Sequence, residues 1–337
     1  MGKSVKLSDI AERLNVSTVT VSKALSGKDG VSEELRAKIK IVANEIGYRY
    51  NSAAKSLKEG CTYNVGILIP ERFVGAKPSF YWDMYQNVAK ELLKHNYFGI
   101  LEVLSAEDED ANNFPVMISD SKVDGVIIIG QVKKKYVEAV TAEYSSVVFL
   151  DFYDKHINID TIITDNFYGM YLLTDYLIEM GHKDIAFVGN YHATSSIQDR
   201  YLGYMKAMIE NEITIKDEWI VNDRDAKGQN IDIELPKKLP TAFVCNCDVV
   251  ACRVIKELDA HGLKVPEDVS IVGFDNYIDT DNNNCEAPIT TVEVDRKVMA
   301  DVAVETLLQK INDMNYKSGR QLISGKVVIK DSVKKIN

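Results

Sequence analysis

Leu7, Ile10, Ala11 and Leu14 recur at the i, i+3, i+4, i+7 spacing of one helix face, with polar residues between them. The pattern predicts a short helix. Asn15-Val16 breaks it, and Asn is one of the few residues besides glycine that tolerates the left-handed backbone of a tight turn. Ser17 is placed to cap a second helix whose buried side is Val21, Ala24 and Leu25. Ser32 can cap a third, with Leu35, Ile39, Val42, Ala43 and Ile46 inward and Gly47 as its stop. Two short helices joined by a tight turn, braced by a third, form a helix-turn-helix arrangement.

From Asn64 onward the period changes. Short apolar runs at 65–69, 99–104, 125–129, 147–150, 185–188, 242–244 and 269–272 alternate with helical segments. Such alternation predicts an α/β body of parallel sheets with helices on both faces. About 270 residues of it exceed one comfortable core, so two similar lobes are expected.

The composition changes this picture in two ways. The chain has 337 residues, 46% hydrophobic and 27% charged, which excludes disordered, collagen-like and disulfide-scaffold classes. No apolar stretch approaches the roughly 18–20 residues that span a bilayer, and the first residues lack the apolar core of a secretory signal. Five cysteines (Cys61, Cys245, Cys247, Cys252, Cys285) make no even framework. These features predict a cytoplasmic protein with no membrane partner. The net charge of -10 argues at first against a nucleic-acid partner, but it is unevenly spread. Residues 1–60 carry eleven Lys/Arg against seven Asp/Glu, a net +4, which leaves -14 on the rest. A basic headpiece on an acidic body suits a chain in which one small module meets a polyanion.

On the second helix Thr18, Val19 and Lys23 fall on the solvent side. Residues at the start of a recognition helix reach base edges, and hydroxyls such as those of Ser17, Thr20 and Ser22 grip phosphates. A small helical bundle with a merely polar surface shares this pattern. Enzymatic motifs are poor: Gly2-Lys3-Ser4 lacks the strand and glycine of a phosphate loop, and no Gly-x-Gly-x-x-Gly, Gly-x-Ser-x-Gly or His-Glu-x-x-His occurs. The spacing of Cys245, Cys247, Cys252 and His261 fits no standard zinc pattern, so neither a metal nor a cofactor is expected.

The stretch from Leu7 to Ser26 (LSDIAERLNVSTVTVSKALS), followed by Val31-Ser32-Glu33-Glu34-Leu35-Arg36 and Ile46-Gly47-Tyr48, resembles the headpiece of the LacI/GalR family of transcription regulators. The resemblance implies a helix-turn-helix headpiece over 1–47, a linker and hinge helix over 48–62, and a two-lobed periplasmic-binding-protein-like effector domain over 63–337. Its lobes would comprise about 63–163 with 293–322, and about 164–290 with 323–337. Asn15 stands where the family usually has Gly, and Lys23 where it usually has Arg. Lys is a point charge without the bidentate fork of Arg, so a shifted operator preference is implied. The segment Asn51-Ser52-Ala53-Ala54-Lys55-Ser56-Leu57-Lys58 resembles the family's hinge helix. That likeness implies DNA contacts by Asn51 and Ala54, and a Leu57 wedge that enters the minor groove and kinks the operator. The alternative is a solvated linker. Tyr50 replaces the usual proline, so the hinge starts less rigidly.

The resemblance also directs attention to residues of the body. Asp151 ends the strand 147–150, and ligands of open parallel sheets collect at carboxyl ends of strands. Arg200, with Ser196 in the same segment, and Asp275 match positions that contact ligand in the family. Cys247 occupies the family's Asn position, so that hydrogen bond is missing or supplied by Asn246. Tyr81 and Trp82, and Phe152 beside Asp151, are candidate aromatic walls, although core packing consumes most aromatics. The implied effector is a sugar or sugar derivative, with a purine or another metabolite as the alternative. The implied partners are double-stranded operator DNA and a second copy of the chain; only a short polar tail follows Lys330, which favours a dimer over a tetramer. A solute-binding receptor or a sugar-modifying enzyme on the same body remain the readings from other classes.

Overall fold

The computed structural model describes residues 5–27, 29–48, 56, 59–74, 79–225, 228–277, 288–313 and 315–336. Asn51, Ala54, Leu57 and Cys285 therefore lie outside the described residues. The chain divides into two units, Met1–Thr62 and Tyr63–Asn337.

The first unit contains α1 (Leu7–Leu14), α2 (Thr18–Leu25) and α3 (Glu33–Glu45). Asn15 adopts φ 50°, the left-handed step that turns α1 into α2. Ser17 Oγ accepts from the Thr20 amide and Ser32 Oγ from the Leu35 amide, so both caps form as the sequence predicts. Ile10, Val21, Ala24, Ile39 and Ala43 close a small core. Arg36 donates to the Ala24 carbonyl at 2.9 Å, fixing α3 against the carboxyl end of α2.

The second unit is built on two parallel sheets. The six-stranded sheet runs β11-β5-β4-β3-β1-β2, with β1 (Asn64–Pro70), β2 (Phe98–Leu104), β3 (Gly125–Ile129), β4 (Val147–Leu150), β5 (Asp160–Thr164) and β11 (Arg320–Ile323). The four-stranded sheet runs β7-β6-β8-β9, with β6 (Ile185–Val188), β7 (Ile220–Val221), β8 (Ala242–Cys245) and β9 (Ser270–Val272). A separate antiparallel pair joins β10 (Thr291–Glu293) to β12 (Lys326–Val328).

Alternation along the strands sorts side chains to two faces. In the larger sheet Ile67, Ile69, Ile127 and Ile129 meet Met84, Val88 and Leu92 of α4 (Phe80–Lys94) and Met299, Ala303 and Leu307 of a long C-terminal helix. Leu68, Val126, Ile128 and Phe149 face the other way, onto Tyr136, Val137 and Val140. In the smaller sheet Phe187 and Val244 pack on Met170, Leu173, Tyr204 and Met208 of α5 (Asn166–Glu179) and α6 (Ser195–Glu210). Ala186, Phe243 and Cys245 pack on α7 (Asp248–Ala260), where Cys252 is another buried thiol. The C-terminal helix, α8, spans Arg296–Asn312.

At Gly203 the helices α5 and α6 approach so closely that a Cβ would sit 2.2 Å from the Phe167 carbonyl oxygen and 2.9 Å from the Tyr171 amide nitrogen. Backbone cannot yield as a flexible side chain does. Gly203→Ala is expected to destabilise the second unit by about 1–3 kcal/mol, read as a lowered denaturation midpoint with unchanged m-value. An unchanged midpoint would show that the helices separate freely.

Candidate functional site

The carboxyl ends of the strands of both sheets bring a small set of polar residues together. β4 ends at Leu150, and the Asp151 amide still donates to the Ile162 carbonyl at 2.8 Å before the chain turns. Asp151 takes φ 65° and Asp275, after β9, φ 100°. Non-glycine residues in this half of backbone space are uncommon, and the value at Asp275 lies beyond the usual left-handed well. Such strain, of order 1–3 kcal/mol, gathers at ligand clamps and persists where surrounding bonds over-determine it. Here the Asp275 amide donates to the Val292 carbonyl at 2.8 Å, and the side chain is held by Arg200.

Arg200, in the second turn of α6, is buried and fully directed. Its Nε donates to Asn166 Oδ1 at 2.8 Å, Nη1 to the Asn246 carbonyl at 2.6 Å and Nη2 to Asp275 Oδ1 at 2.9 Å. The guanidinium also lies over the Phe274 ring, 3.9 Å from its centroid. From the larger sheet's side, the Tyr81 hydroxyl donates to Asp151 Oδ2 at 2.9 Å. Burial and the neighbouring Asp151 hold the Tyr81 hydroxyl well above its ordinary pKa, with Asp275 adding to the effect and Arg200 opposing it. Burial pushes the Asp151 carboxyl up to about 7, against the pull of Arg200 and with a further push from Asp275. Tyr81, Asp151, Arg200 and Asp275 thus share one electrostatic environment, contributed by both halves of the body.

Cys247 begins α7 as its N-cap without a side-chain capping bond. Burial pushes its thiol up to about 12, Asp275 raises it further and Arg224 opposes, so it is a neutral thiol beside the same group. Asn246 does not replace the amide that Cys247 lacks: its Nδ2 donates to the Val188 carbonyl and to Asp223 Oδ2, both at 3.1 Å. Ser196 Oγ pairs with Thr194 Oγ1 at 3.0 Å in the first turn of α6, and the adjacent Ser195 amide reaches across to Gln131 Oε1 at 3.2 Å.

One aromatic expectation needs correction. Phe152 is buried in the larger sheet's core and stacks on Phe149 at 4.5 Å, because the left-handed step at Asp151 breaks strand alternation and returns the next ring to the core. Trp82, about 100° around α4 from Tyr81, packs on Tyr85 at 5.1 Å. The rings that do surround Tyr81 are Phe73 at 4.7 Å and Phe80 at 5.3 Å, and Phe80 meets Tyr277 edge-on at 6.2 Å.

Sequence reasoning also missed Arg296. Its Nε donates to Asp83 Oδ2 of α4 at 2.6 Å and its Nη1 to the Asp275 carbonyl at 3.2 Å, with its guanidinium near the Phe80 and Tyr277 rings. The start of α4 is therefore tied to this group twice, to Asp151 through Tyr81 and to Asp275 through Arg296. Tyr153, whose hydroxyl donates to Asp199 Oδ1 at 2.9 Å, adds another bond between the halves.

In the first unit, Ser17, Thr18, Val19 and Lys23 are exposed, while Thr20 and Ser22 are half-buried. Val19 is 62% exposed, an apolar side chain at the start of a helix with no core to join.

Residues 6–51 match the family described as bacterial regulatory proteins, lacI family, and residues 174–333 match a periplasmic binding protein-like domain. The chain is 30% identical over 278 residues to the HTH-type transcriptional repressor PurR of Pectobacterium carotovorum subsp. carotovorum (strain PC1), covering 80% of each. It is 28% identical over 337 residues to the PurR repressor of Vibrio parahaemolyticus serotype O3:K6, covering 98% of this chain and 99% of that one. The fold is shared with a lac repressor dimer bound to operator and an anti-inducer, at TM-score 0.76 and 22% identity, over 98% of this chain and 100% of that one. A helix-turn-helix unit, a two-sheet body and full-length relatives of this kind give one assignment: the chain belongs to the lacI family of bacterial regulatory proteins.

Proposed function

We propose that the chain is a cytoplasmic, homodimeric transcriptional repressor whose hold on operator DNA is set by a small molecule, a sugar or sugar derivative, bound among Tyr81, Asp151, Arg200, Cys247 and Asp275. One observation carries the effector half of this reading: Arg200 is fixed by Asn166, Asn246 and Asp275 through three of its five N–H donors while facing Asp151 and Tyr81 from the other half of the body. A guanidinium and two carboxylates fixed at that spacing make directional bonds to vicinal hydroxyls. A ligand that bridges them shifts the balance between lobe arrangements by its differential contacts. The double tie of α4 to Asp151 and Asp275 supplies a route outward, since α4 ends near Leu93, an exposed apolar residue.

Homodimerisation is supported by the open edge of the larger sheet. β2 is an end strand of that sheet, and Phe98 and Val103 on it are exposed, as is Val116 on the helix whose first amides are held by Glu102 of β2. Exposed apolar side chains on an unpaired edge are an aggregation hazard unless another surface covers them.

DNA contact is assigned to Ser17, Thr18, Val19, Thr20, Ser22 and Lys23 of the first unit, with Asn51, Ala54 and Leu57 of the hinge segment. The test begins with selection of bound duplexes from a random pool. Against the selected operator, Lys23→Ala is expected to relax preference at particular base pairs, costing about 1 kcal/mol there, with the salt slope retained. A uniform loss with a slope reduced by about one would make Lys23 a phosphate contact instead. Failure to select any sequence would remove the operator reading.

A further inference from the structure

Besides the strands that cross between the two sheets, two groups of side chains join the halves of the body. One runs through Arg296 to the Asp275 carbonyl and the Tyr277 ring, and belongs to the site already described. The other uses none of Tyr81, Asp151, Arg200 or Asp275. Tyr153, in the loop after β4, donates its hydroxyl to Asp199 Oδ1 of α6 at 2.9 Å and its amide to Ser195 Oγ at 3.4 Å. The Ser195 amide returns the contact, donating to Gln131 Oε1 of the loop after β3 at 3.2 Å. These bonds dock the first two turns of α6 on two loops of the larger sheet.

Each side of the contact is fixed within its own half. Arg320 of β11 lies over the Tyr153 ring, 4.6 Å from its centroid, and holds the phenol on the larger sheet's side. Arg72 donates to the Gln131 carbonyl and pairs with Glu109 at 2.6 Å, and Glu109 also accepts the Lys133 amide, so one buried carboxylate steadies the backbone from Gln131 to Lys133. On the other side, Thr194 Oγ1 caps α6 by accepting the Ile197 amide, which leaves the Ser195 amide among the donors that a helix start cannot pair for itself. Gln131 supplies the acceptor from the opposite half. Separating the halves breaks a charge-assisted phenol–carboxylate bond and returns that amide to water, while the bonds within each half survive.

Asp199 and Arg200 are neighbours on α6 and point about 100° apart, so the turn that presents Arg200 to Asp151 is the turn that Tyr153 holds. Every bond of the contact is made by the chain to itself and needs no ligand.

We infer that Gln131, Tyr153, Ser195 and Asp199 form a latch that holds the two halves together independently of any ligand, which makes Tyr153 a positioning residue for the control of DNA binding. The functional part rests on the reading that a small molecule between the halves sets operator affinity. A ligand that bridges Asp151 and Arg200 favours the same arrangement as the latch, so the two act in one direction. Loss of the latch then moves operator affinity opposite to the way the ligand moves it, whichever way that is.

Tyr153→Phe removes one hydroxyl and keeps the ring under Arg320, so the variant is expected to fold. Hydrogen exchange of the full-length protein, read by mass spectrometry on the peptide that contains Ser195, reports the latch directly. Protection there is expected in the wild type and is expected to fall about tenfold in Tyr153→Phe, with β1 and β3 unchanged. Operator affinity, measured on the selected duplex without additions, is expected to shift by about threefold or more, opposite in sign to the shift that the small-molecule extract of the host cells produces in the wild type. Asp199→Ala should reproduce both effects, and Asp199→Asn, which keeps an acceptor, should restore most of what Ala loses. The double variant should be no worse than Asp199→Ala alone, because the two substitutions break one bond. Wild-type protection of Ser195 in both Tyr153→Phe and Asp199→Ala removes the latch. Lost protection with operator affinity unchanged, or shifted the same way as by the extract, leaves a contact that only supports the fold and overturns the inference. If the wild type ignores the extract, the effector reading falls instead, and the latch is judged on the other two readouts: a shift in both sustains it, and an unchanged operator affinity overturns it.

Discussion

Arg200→Ala is expected to abolish the effector response and to destabilise the second unit by about 3–5 kcal/mol, while the first unit keeps its helices and its affinity for DNA. The size follows from what the side chain holds. Removing it strands Asp275, whose left-handed backbone is paired through that guanidinium, and empties bonds to Asn166 and the Asn246 carbonyl. Asn166 begins α5 and Asn246 follows β8, so one deletion loosens three elements at once. It also removes the cation that restrains Asp151, whose carboxyl then rises above about 7 and becomes neutral at physiological pH. Chemical denaturation of the full chain, followed by tyrosine and tryptophan fluorescence, reads the stability. Operator affinity measured with and without the cell extract reads the response. Arg200→Lys keeps the charge without the fork and is expected to fall between the two. A variant of wild-type stability that still responds to the extract would remove Arg200 from the site.

How far the sequence foretold this arrangement depends on whether a contact is local. The helices of the first unit follow a 3.6-residue period with caps at Ser17 and Ser32, and the structure repeats both to the residue. Strands with uninterrupted apolar runs were equally legible. β5 was not, because Asp160, Thr161 and Thr164 are polar yet buried, and a pattern reading sends polar residues to the surface. What keeps Asp160 inside is Lys310 at 2.8 Å, together with the Ser318 and Gly319 amides, all more than 140 residues away. β11 was missed for a different reason: it pairs only on one side, so its residues alternate between half-buried and exposed.

The site shows the same division. Arg200, Asp275 and Asp151 were singled out by resemblance or by their place at a strand end, and the structure puts them in one electrostatic environment. The residues that set their chemistry were not visible. Asn166, Asp223 with Arg224, and Arg296 with Asp83 act across gaps in the chain or within a polar pair that carries no motif. The positive φ at Asp151 and Asp275 was not legible either: aspartate enters this half of backbone space more readily than most residues, but nothing in the local sequence marks these two among the other aspartates. Phe152 shows the opposite error, an apolar residue beside a functional one that serves only the core.

Leu57→Ala is expected to lower affinity for the selected operator by about a hundredfold, roughly 2.7 kcal/mol, while affinity for unrelated duplex changes by less than about twofold. The asymmetry is the content of the prediction. Non-specific binding is carried by phosphate contacts, and those depend on the +4 charge of residues 1–60, which the substitution leaves alone. Specific binding also has to unstack a base step, and that cost is repaid only when a large apolar side chain fills the opened step. Alanine is too short to fill it. Leu57→Met, which preserves volume and apolar character, is expected to retain most of the affinity, and circular-permutation bending assays should show the operator kinked by the wild type and the Met variant but straighter with Ala. If both duplexes lose affinity equally, or if bending is unchanged in the Ala variant, Leu57 is no wedge. Specificity would then have to come from α2 alone, whose exposed Val19 and Lys23 are the side chains in position to supply it.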